Sequence, residues 1–385
     1  MVDPARAASP TLLACATGDL PGIGGHLKAA PDDFVVEELP AYEPCGRGEH
    51  LYLWVEKRGL STAGIISTLG RVLNVSPLAI GAAGKKDAQA VTRQWLSVHT
   101  AADPNPARLS GDGWRVLAAN RHRNKLRPGH LRGNRFSIAV RGAQQGPETA
   151  ILARLEHDGF PNYFGPQRLG PAHANALVGR ELLRRTRSLR GNLERLRFAV
   201  NAYQAALFNG LVARRLAIVG DLQRLLPGDL AVLHRNGAAF AVTDSDLETA
   251  QARAAAHEIS ASAPLFGYRT SLAEGEPGSW ERAALSDEQL TPEAFRLGGH
   301  RVSPKGERRA VRVFAEALTW AWDATGGEPV LRLSFTLAPG VYATTLLREL
   351  TKADDLTALP APDADAHGSM VQRSARAVPD AHGVR

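Results

Sequence analysis

The residues best suited to chemistry stand in one stretch, Gly81-Ala-Ala-Gly-Lys-Lys-Asp-Ala-Gln-Ala-Val-Thr-Arg-Gln94. Gly84-Lys85 suggests a phosphate loop, but the spacing rejects it. Ala79 stands where the first glycine belongs and Lys86 where the Ser or Thr belongs. Hydrolysis of a nucleoside triphosphate is therefore not expected. What remains is Asp87, preceded by two lysines and followed by Thr92, Arg93 and Gln94. Cations beside a carboxylate keep it ionised near neutral pH, the state a nucleophile or general base requires. The same local chemistry also fits an exposed acid in a turn. Upstream, Lys28 precedes a turn and an apolar run that starts at Phe34. Both residues read either as ordinary turn and edge-strand residues or as groups projecting toward a site.

A second signal is electrostatic. From Gly113 to Pro147 there is no acidic residue, yet the stretch carries Arg115, Arg121, Arg123, Lys125, Arg127, Arg132, Arg135 and Arg141, with His122 and His130. Such a strip can neutralise several phosphates of a polyanion, or form a merely solvated face. Inside it, Lys125-Leu-Arg-Pro-Gly-His-Leu-Arg-Gly-Asn-Arg-Phe136 combines cations with two glycines, the donor and acceptor of Asn134 and the stacking face of Phe136. That combination suits a nucleic acid better than a metabolite. A second cluster, Arg180, Arg184, Arg185, Arg187, Arg190, Arg195 and Arg197, would place Arg180, Arg184 and Arg187 on one face if helical.

Composition sets the frame. The chain has 385 residues, 44% hydrophobic and 22% charged, with a formal net charge of +7. This excludes a collagen-like, coiled-coil or wholly disordered chain and allows two domains. The basic excess suggests a polyanionic partner. The two cysteines, Cys15 and Cys45, make neither a disulfide framework nor a zinc site, which points to a reducing compartment. There is no His-Glu-x-x-His, Cys-x-x-Cys or Gly-x-Ser-x-Gly, and Gly22–Gly25 lacks dinucleotide-fingerprint spacing. No metal and no organic cofactor is expected. No apolar run approaches the ~20 residues of a membrane span, and no secretory leader is read near the start. The expectation is a soluble cytoplasmic monomer with no protein partner.

These groups need a scaffold. Period-two runs predict strands at Phe34–Leu39, Leu51–Lys57, Val91–Val98, Trp114–Ala118, Phe136–Val140 and Val330–Leu337. Period-3.6 runs predict helices at Thr62–Val72, capped by Ser61, and at Pro147–Asp158, Arg308–Ala321 and Thr344–Leu350. From about Asn162 to Lys305 the chain turns helical and Arg-rich, notably over Arg180–Arg197 and Ala202–Leu216, like a separate module between two halves of a mixed α/β domain. Residues 1–19 read as a loose N-terminus and 353–385 as a disordered tail, since both lack the apolar residues to bury.

At these residues the sequence resembles the TruD-type tRNA pseudouridine synthases. KAAPDDFVVEELP (28–40) and GRGEHLYLWVEKRG (46–59) look like the family's opening strands, and GAAGKKDAQAVTRQWLSV (81–98) like its catalytic motif. NKLRPGHLRGNRF (124–136), FPNYFGPQRLG (160–170), NAYQAALFNGLVARRL (201–216) and PGVYATTLLREL (339–350) follow in the same order. The resemblance implies an α+β pseudouridine-synthase core, circularly permuted, over 20–159 and 306–352, with an inserted helix-rich TRUD domain over 160–305. It implies isomerisation of the uridine at tRNA position 13, in the D arm. Asp87 matches the catalytic aspartate and Lys28 the basic residue near it. Phe34, Asn134, Phe136 and Tyr342 match residues lining the base, with Tyr342 standing where the family usually has Phe. Phe34 and Tyr342 are expected to sandwich the uracil. Arg121, Arg123, Lys125, Arg127 and Arg132 are expected on the tRNA backbone. Gly81-Ala82 lacks the family's aromatic, and Leu169 replaces a common Phe.

Overall fold

Strands whose apolar residues recur at every second position bury one or both faces, and here they assemble one large sheet. The computed structural model describes residues 13–297, 302–323 and 327–353. The first half supplies β1 (Phe34–Pro40), β2 (His50–Arg58), α1 (Thr62–Val72), β3 (Ile80–Ala82), β4 (Val91–His99), β5 (Ser110–Gly111), β6 (Trp114–His122), β7 (Leu131–Arg141), α2 (Pro147–Asp158) and β8 (Phe160–Pro161). After an intervening segment come β12 (Glu307–Ala310), β13 (Arg312–Val313), β14 (Glu316–Asp323), β15 (Val330–Leu337) and α8 (Ala343–Thr351). The nine-stranded sheet runs β14-β15-β7-β1-β4-β2-β6-β5, with β3 also on β4.

The sheet carries a seam. β1 and β4 are parallel but pair only over Val35–Glu37 against Val91–Arg93; further along, Leu96–Val98 of β4 pairs with β3 instead. Two hydrophobic clusters lie to either side. One gathers Phe34, Val36, Phe136, Ile138, Leu333 and Phe335 with α2 and α8; the other gathers Leu51, Leu53, Val55, Leu96 and Val98 with Ile65 and Leu69 of α1. Between them sit polar side chains that are nonetheless buried: Glu38, Lys57, Thr62, Thr92, Gln94 and Ser97. Buried polar groups persist where they find partners: Thr62 bonds Gln94 at 3.0 Å, and Lys57 and Ser97 bond backbone groups of neighbouring loops, while Thr92 Oγ1 has no partner among the described residues.

The intervening segment holds α3 (Pro166–Leu169), α4 (Ala174–Leu183), α5 (Leu193–Val219), β9 (Leu230–Leu233), β10 (Ala239–Ala241), α6 (Leu247–Ala255), β11 (Ile259–Leu265) and α7 (Gly275–Asp287). Its helices pack on a four-stranded sheet, β10-β9-β11-β12, around a third hydrophobic cluster that includes Val200, Phe208, Val212, Ile259, Phe266 and Trp280.

Three expectations are corrected. Arg308–Ala321 is not helical but forms β12, β13 and the start of β14. Val311, Val313, Thr319 and Trp320 are β-branched or aromatic, and the buried Arg312 fixes the strand by donating to Ser260 Oγ and to Asp158 O, both at 3.0 Å. Arg180–Arg197 is no single helix: α4 ends at Leu183, and α5 starts afresh after Gly191 at φ +128 and the Asn192 cap, which accepts from Glu194 N at 2.8 Å. Residues 13–19 are not loose either. Ala16 N and Thr17 N donate to the Glu349 carboxylate of α8 at 2.8 and 3.0 Å, and Thr17 is fully buried. Residues 1–12 and, beyond Ala353, the expected disordered tail lie outside the described residues.

Candidate active site

Asp87 lies in the loop joining β3 to β4, so the chain must lay this loop across the seam. Bonds to Lys57, Thr62, Gln94 and Gly129 hold it there. Lys57 Nζ donates to Asp87 O at 2.7 Å and to Leu60 O at 2.6 Å. Lys86 N donates to Thr62 Oγ1 at 2.9 Å, Gln94 Nε2 to Gly84 O at 3.3 Å, and Gly129 N to Ala83 O at 2.8 Å. The last of these docks the basic 123–130 loop onto the Asp87 loop. Gly81 is required for that approach: a Cβ there would sit 2.3 Å from Leu126 O.

The carboxylate itself is a third exposed, and its Oδ2 accepts from Lys28 Nζ at 3.0 Å. Lys28 holds a backbone conformation that L residues rarely adopt, φ +60, strain of a kind that clusters at functional sites. Its ammonium, nearly buried, also lies 4.4 Å from the centroid of the Phe34 ring. Asp33 anchors this turn by accepting from Ala30 N at 2.8 Å and pairing with Arg141 at 2.6 Å. The site thus offers an ionic side-chain oxygen, opened to one side and fixed on the other.

Lys86 does not serve Asp87 as the adjacent cation the sequence suggests. Its buried ammonium reaches Glu38 Oε2 at 3.2 Å and donates to Asn134 Oδ1. Burial pushes the Glu38 carboxyl up and the Lys86 ammonium down from their usual values. Lys donates only, so the Asn134 oxygen must face Lys86, which leaves the Asn134 amide NH2 as a free pair of donors. Asn134 and Phe136 share one face of β7; Asn134 lies opposite Leu337 of β15 and Phe136 opposite Phe335. Glu38, Lys57, Thr62, Lys86 and Gln94 were not assigned site roles from sequence. Lys86 and Gln94 stand in the Asp87 stretch and so carry a local signal, but that signal pairs Lys86 with Asp87 and not with Glu38.

The expected aromatic sandwich is corrected in one half. Phe34 is 2% exposed; its ring is edge-on to Phe136 at 6.2 Å and covered by the Lys28 ammonium, so it supports the ion pair instead of presenting an open face. Phe136 is also buried and stacks on Phe335 at 5.3 Å. Tyr342 is half-buried just ahead of α8, and its ring meets Phe164 at 5.9 Å. The basic strip divides too. Arg121 is spent on Thr100 O at 2.6 Å and Ala102 O at 2.5 Å, and Lys125 on Leu78 O at 2.5 Å. Arg115, Arg135 and Arg141 pair with Glu56, Glu37 and Asp33 of neighbouring segments. Arg123, Arg127 and Arg132 stay exposed with no acidic partner among the described residues. In the second cluster Arg180 and Arg184 both pair with Glu288, and Arg187 with Glu181.

A model of the family described as tRNA pseudouridine synthase D (TruD) matches residues 13–190 and 186–350, nearly all of the chain outside its ends. The chain belongs to the TruD family. It is 44% identical over 346 residues to tRNA pseudouridine synthase D of Anaeromyxobacter dehalogenans (strain 2CP-C), covering 88% of this chain and 96% of that one. It is 42% identical over 359 residues to that of Thermus thermophilus, covering 91% and 96%. A crystal structure assigned to TruD of Methanosarcina mazei superposes with a TM-score of 0.72 at 25% identity, covering 92% of this chain and 99% of that one. The mixed helix-and-sheet architecture is therefore that of TruD. Among the described residues no helix is long and apolar enough to cross a membrane, and no group of three or more His, Cys, Asp or Glu is placed to hold a metal ion.

The Lys57 contact has a measurable consequence in this TruD chain. Burial lowers the Lys57 ammonium to about 8, against the raising effect of Asp87. Between there and its ordinary value near 10.5, the unfolded chain binds a proton that the folded chain does not, so this group makes folding more favourable as pH rises. Lys57→Met removes that slope together with both carbonyl bonds. Wild type is expected to gain stability over Lys57→Met between about pH 8 and pH 10, and urea titrations at the two pH values check it. Loosening the Asp87 backbone is expected to lower kcat by roughly tenfold or more.

Proposed function

We propose that this chain isomerises uridine to pseudouridine at position 13 in the D arm of tRNA, with Asp87 as the catalytic carboxylate. The single observation that carries the reading is the pre-bonded loop that presents Asp87 Oδ2 to Lys28 while the adjacent Lys86 bonds Asn134. The reaction breaks the N1–C1′ bond, turns the uracil and joins C5 to C1′, with the C5 proton lost as N1 gains one. A stacked base cannot turn, so the uridine must be swung out of the helix at a cost of a few kcal/mol. Asp87 acts at C1′, at C6 or on a sugar proton, and Lys28 orients it. The free Asn134 amide donates to the uracil O4, where cytosine presents its amino donor and two donors would oppose each other. Tyr342 offers its ring to the base, and Phe34 and Phe136 form the wall behind the ion pair.

The reading divides the chain into a circularly permuted catalytic core over 20–159 and 306–352 and an inserted TRUD domain over 160–305. The separate hydrophobic cluster of the intervening segment supports the division. The pairing of β12 with β11 carries the insert further, to Ala310. Arg123, Arg127 and Arg132 hold flanking phosphates. Reversing all three to Glu is expected to weaken tRNA binding by a factor of roughly 10 to 1000 and to flatten its salt dependence, each lost phosphate contact lowering the slope by about one. Filter binding from about 50 to 200 mM salt checks this.

The deciding experiment maps pseudouridine in tRNA from cells lacking the gene, with and without the chain restored. Loss and return of the modification at position 13 is expected. A protein that only binds RNA predicts no change, and a nucleoside hydrolase predicts free uracil; either result overturns the reading.

A further inference from the structure

Beside Tyr342, on the side of the inserted segment, lies a cavity of about 400 Å³ lined by Phe164, Arg168, Asn201, Gln204, Lys305 and Glu307. That volume falls in the range that admits a small ligand. Its wall adjoins Tyr342: the Phe164 ring that lines it also meets the Tyr342 ring, and Arg309 lies 4.2 Å from the same Phe164 ring while donating to Gly340 O at 2.9 Å in the loop between β15 and α8. Gly165 is pressed against this corner, since a Cβ there would come within 2.9 Å of both Tyr342 Cδ1 and Thr344 Oγ1.

The charges around it are unbalanced. The Arg168 guanidinium lies 5.8 Å from the Phe164 centroid and 5.6 Å from that of the exposed Phe198, and its buried Nε makes no hydrogen bond among the described residues. Among the described residues the buried Thr344 Oγ1 has no partner either, and Arg309 hydrogen-bonds only to Asn162 and Gly340. Among the described residues neither guanidinium pairs with a carboxylate, although Glu307 stands at the rim. A buried donor left bare costs free energy comparable to a lost hydrogen bond. A guanidinium plane held on rings, with Lys305 exposed beside it, matches a phosphate with an unstacked base next to it.

Resting on the proposed function, we infer that this cavity receives a second nucleotide of the RNA substrate, one flanking the target uridine, with its phosphate on Arg168 and Lys305 and its base against the Phe164 side of the pocket. Swinging out the target unstacks its neighbours, and a pocket that captures one of them offsets part of that cost. Arg168 then acts on substrate binding and not on the chemical step.

The test uses the full chain and a tRNA carrying 2-aminopurine at each of the two nucleotides on either side of the target, one label at a time. With wild type and with Asp87→Asn, one label is expected to change its fluorescence on binding. With Arg168→Gln that change is expected to be lost, KM to rise roughly tenfold, the scale of one charge-assisted contact, and kcat to stay within about twofold. Arg214→Gln, an exposed arginine on α5, controls for the loss of one charge, and Lys305→Gln, on the surface, gives a milder version of the same pattern if Arg168→Gln fails to fold. Signal at none of the labels with wild type, or a KM change no larger than that of Arg214→Gln, overturns the inference. With wild type, a label signal without any pseudouridine formed would instead sink the catalytic reading and leave the pocket standing.

Discussion

Asp87→Asn is expected to give a folded chain that binds tRNA and forms no pseudouridine above background. The substitution keeps shape and the backbone bond from Lys57, so the loop stays where the seam holds it. What goes is the charge. The carboxylate is one-third exposed but the Lys28 side chain is only 8% exposed, and the amide oxygen can still accept from the ammonium, so unfolding should shift by no more than about 1–3 kcal/mol. Chemistry is different in scale. An amide oxygen neither attacks a sugar carbon or C6 nor removes a proton at neutral pH, and losing the group that makes or breaks the bond costs roughly four orders of magnitude or more. Pseudouridine mapping of the treated tRNA, filter binding and a urea titration on one preparation check the three parts. Turnover within about a hundredfold of wild type would remove Asp87 from the chemistry.

Much of this site was legible in the chain because it is written locally. Gly-x-Lys-Asp, the Lys28 turn and the basic loop each sit within a short window, and the strands that carry them alternate cleanly. Phe34–Pro40, His50–Arg58 and Val91–His99 form where the pattern places strands. What the chain hides is the pairing of distant polar groups. Lys57 looks like one more strand cation, and only the parting of β1 from β4 makes its ammonium a clamp for Asp87 O. Glu38 looks like a solvated acid after Glu37, yet period two turns one outward and the other into the seam. Arg121 and Lys125 belong to a basic run, and nothing local says that carbonyls of the 100–102 and 78 segments will claim them. The helix expected at Arg308–Ala321 fails for the same reason: the partners of β12 and β13, β11 and β8, lie far away in sequence, and only β14 pairs with its immediate successor β15, so tertiary pairing decides the outcome.

Lys86→Met is expected to cost more stability than any other single change at the site, about 3–5 kcal/mol, because it leaves a buried carboxylate without its cation. The two side chains are 5% and 1% exposed, and after Trp95 N donates to Glu38 Oε1 at 3.2 Å, Oε2 has only the Lys86 ammonium. The orphaned Glu38 would respond by holding a proton. Burial already raises its pKa, and losing Lys86 raises it further, so the folded variant binds a proton that the unfolded chain has released. Its stability therefore falls as pH rises, and the deficit against wild type should be smaller at about pH 5 than at about pH 8. Adding Glu38→Gln removes the buried charge and should restore most of the stability at both pH values. It should not restore turnover, because Asn134 would still lack the ammonium that turns its oxygen inward and its NH2 toward the base. A loss of about 100-fold in kcat is expected in single and double variants alike, as for other misplaced positioning groups. Denaturant titrations and single-turnover assays on the two variants separate these roles. Full activity in the double variant would reduce Lys86 to a structural counterion, and a single variant as stable as wild type would mean that Glu38 is solvated and the seam is not closed.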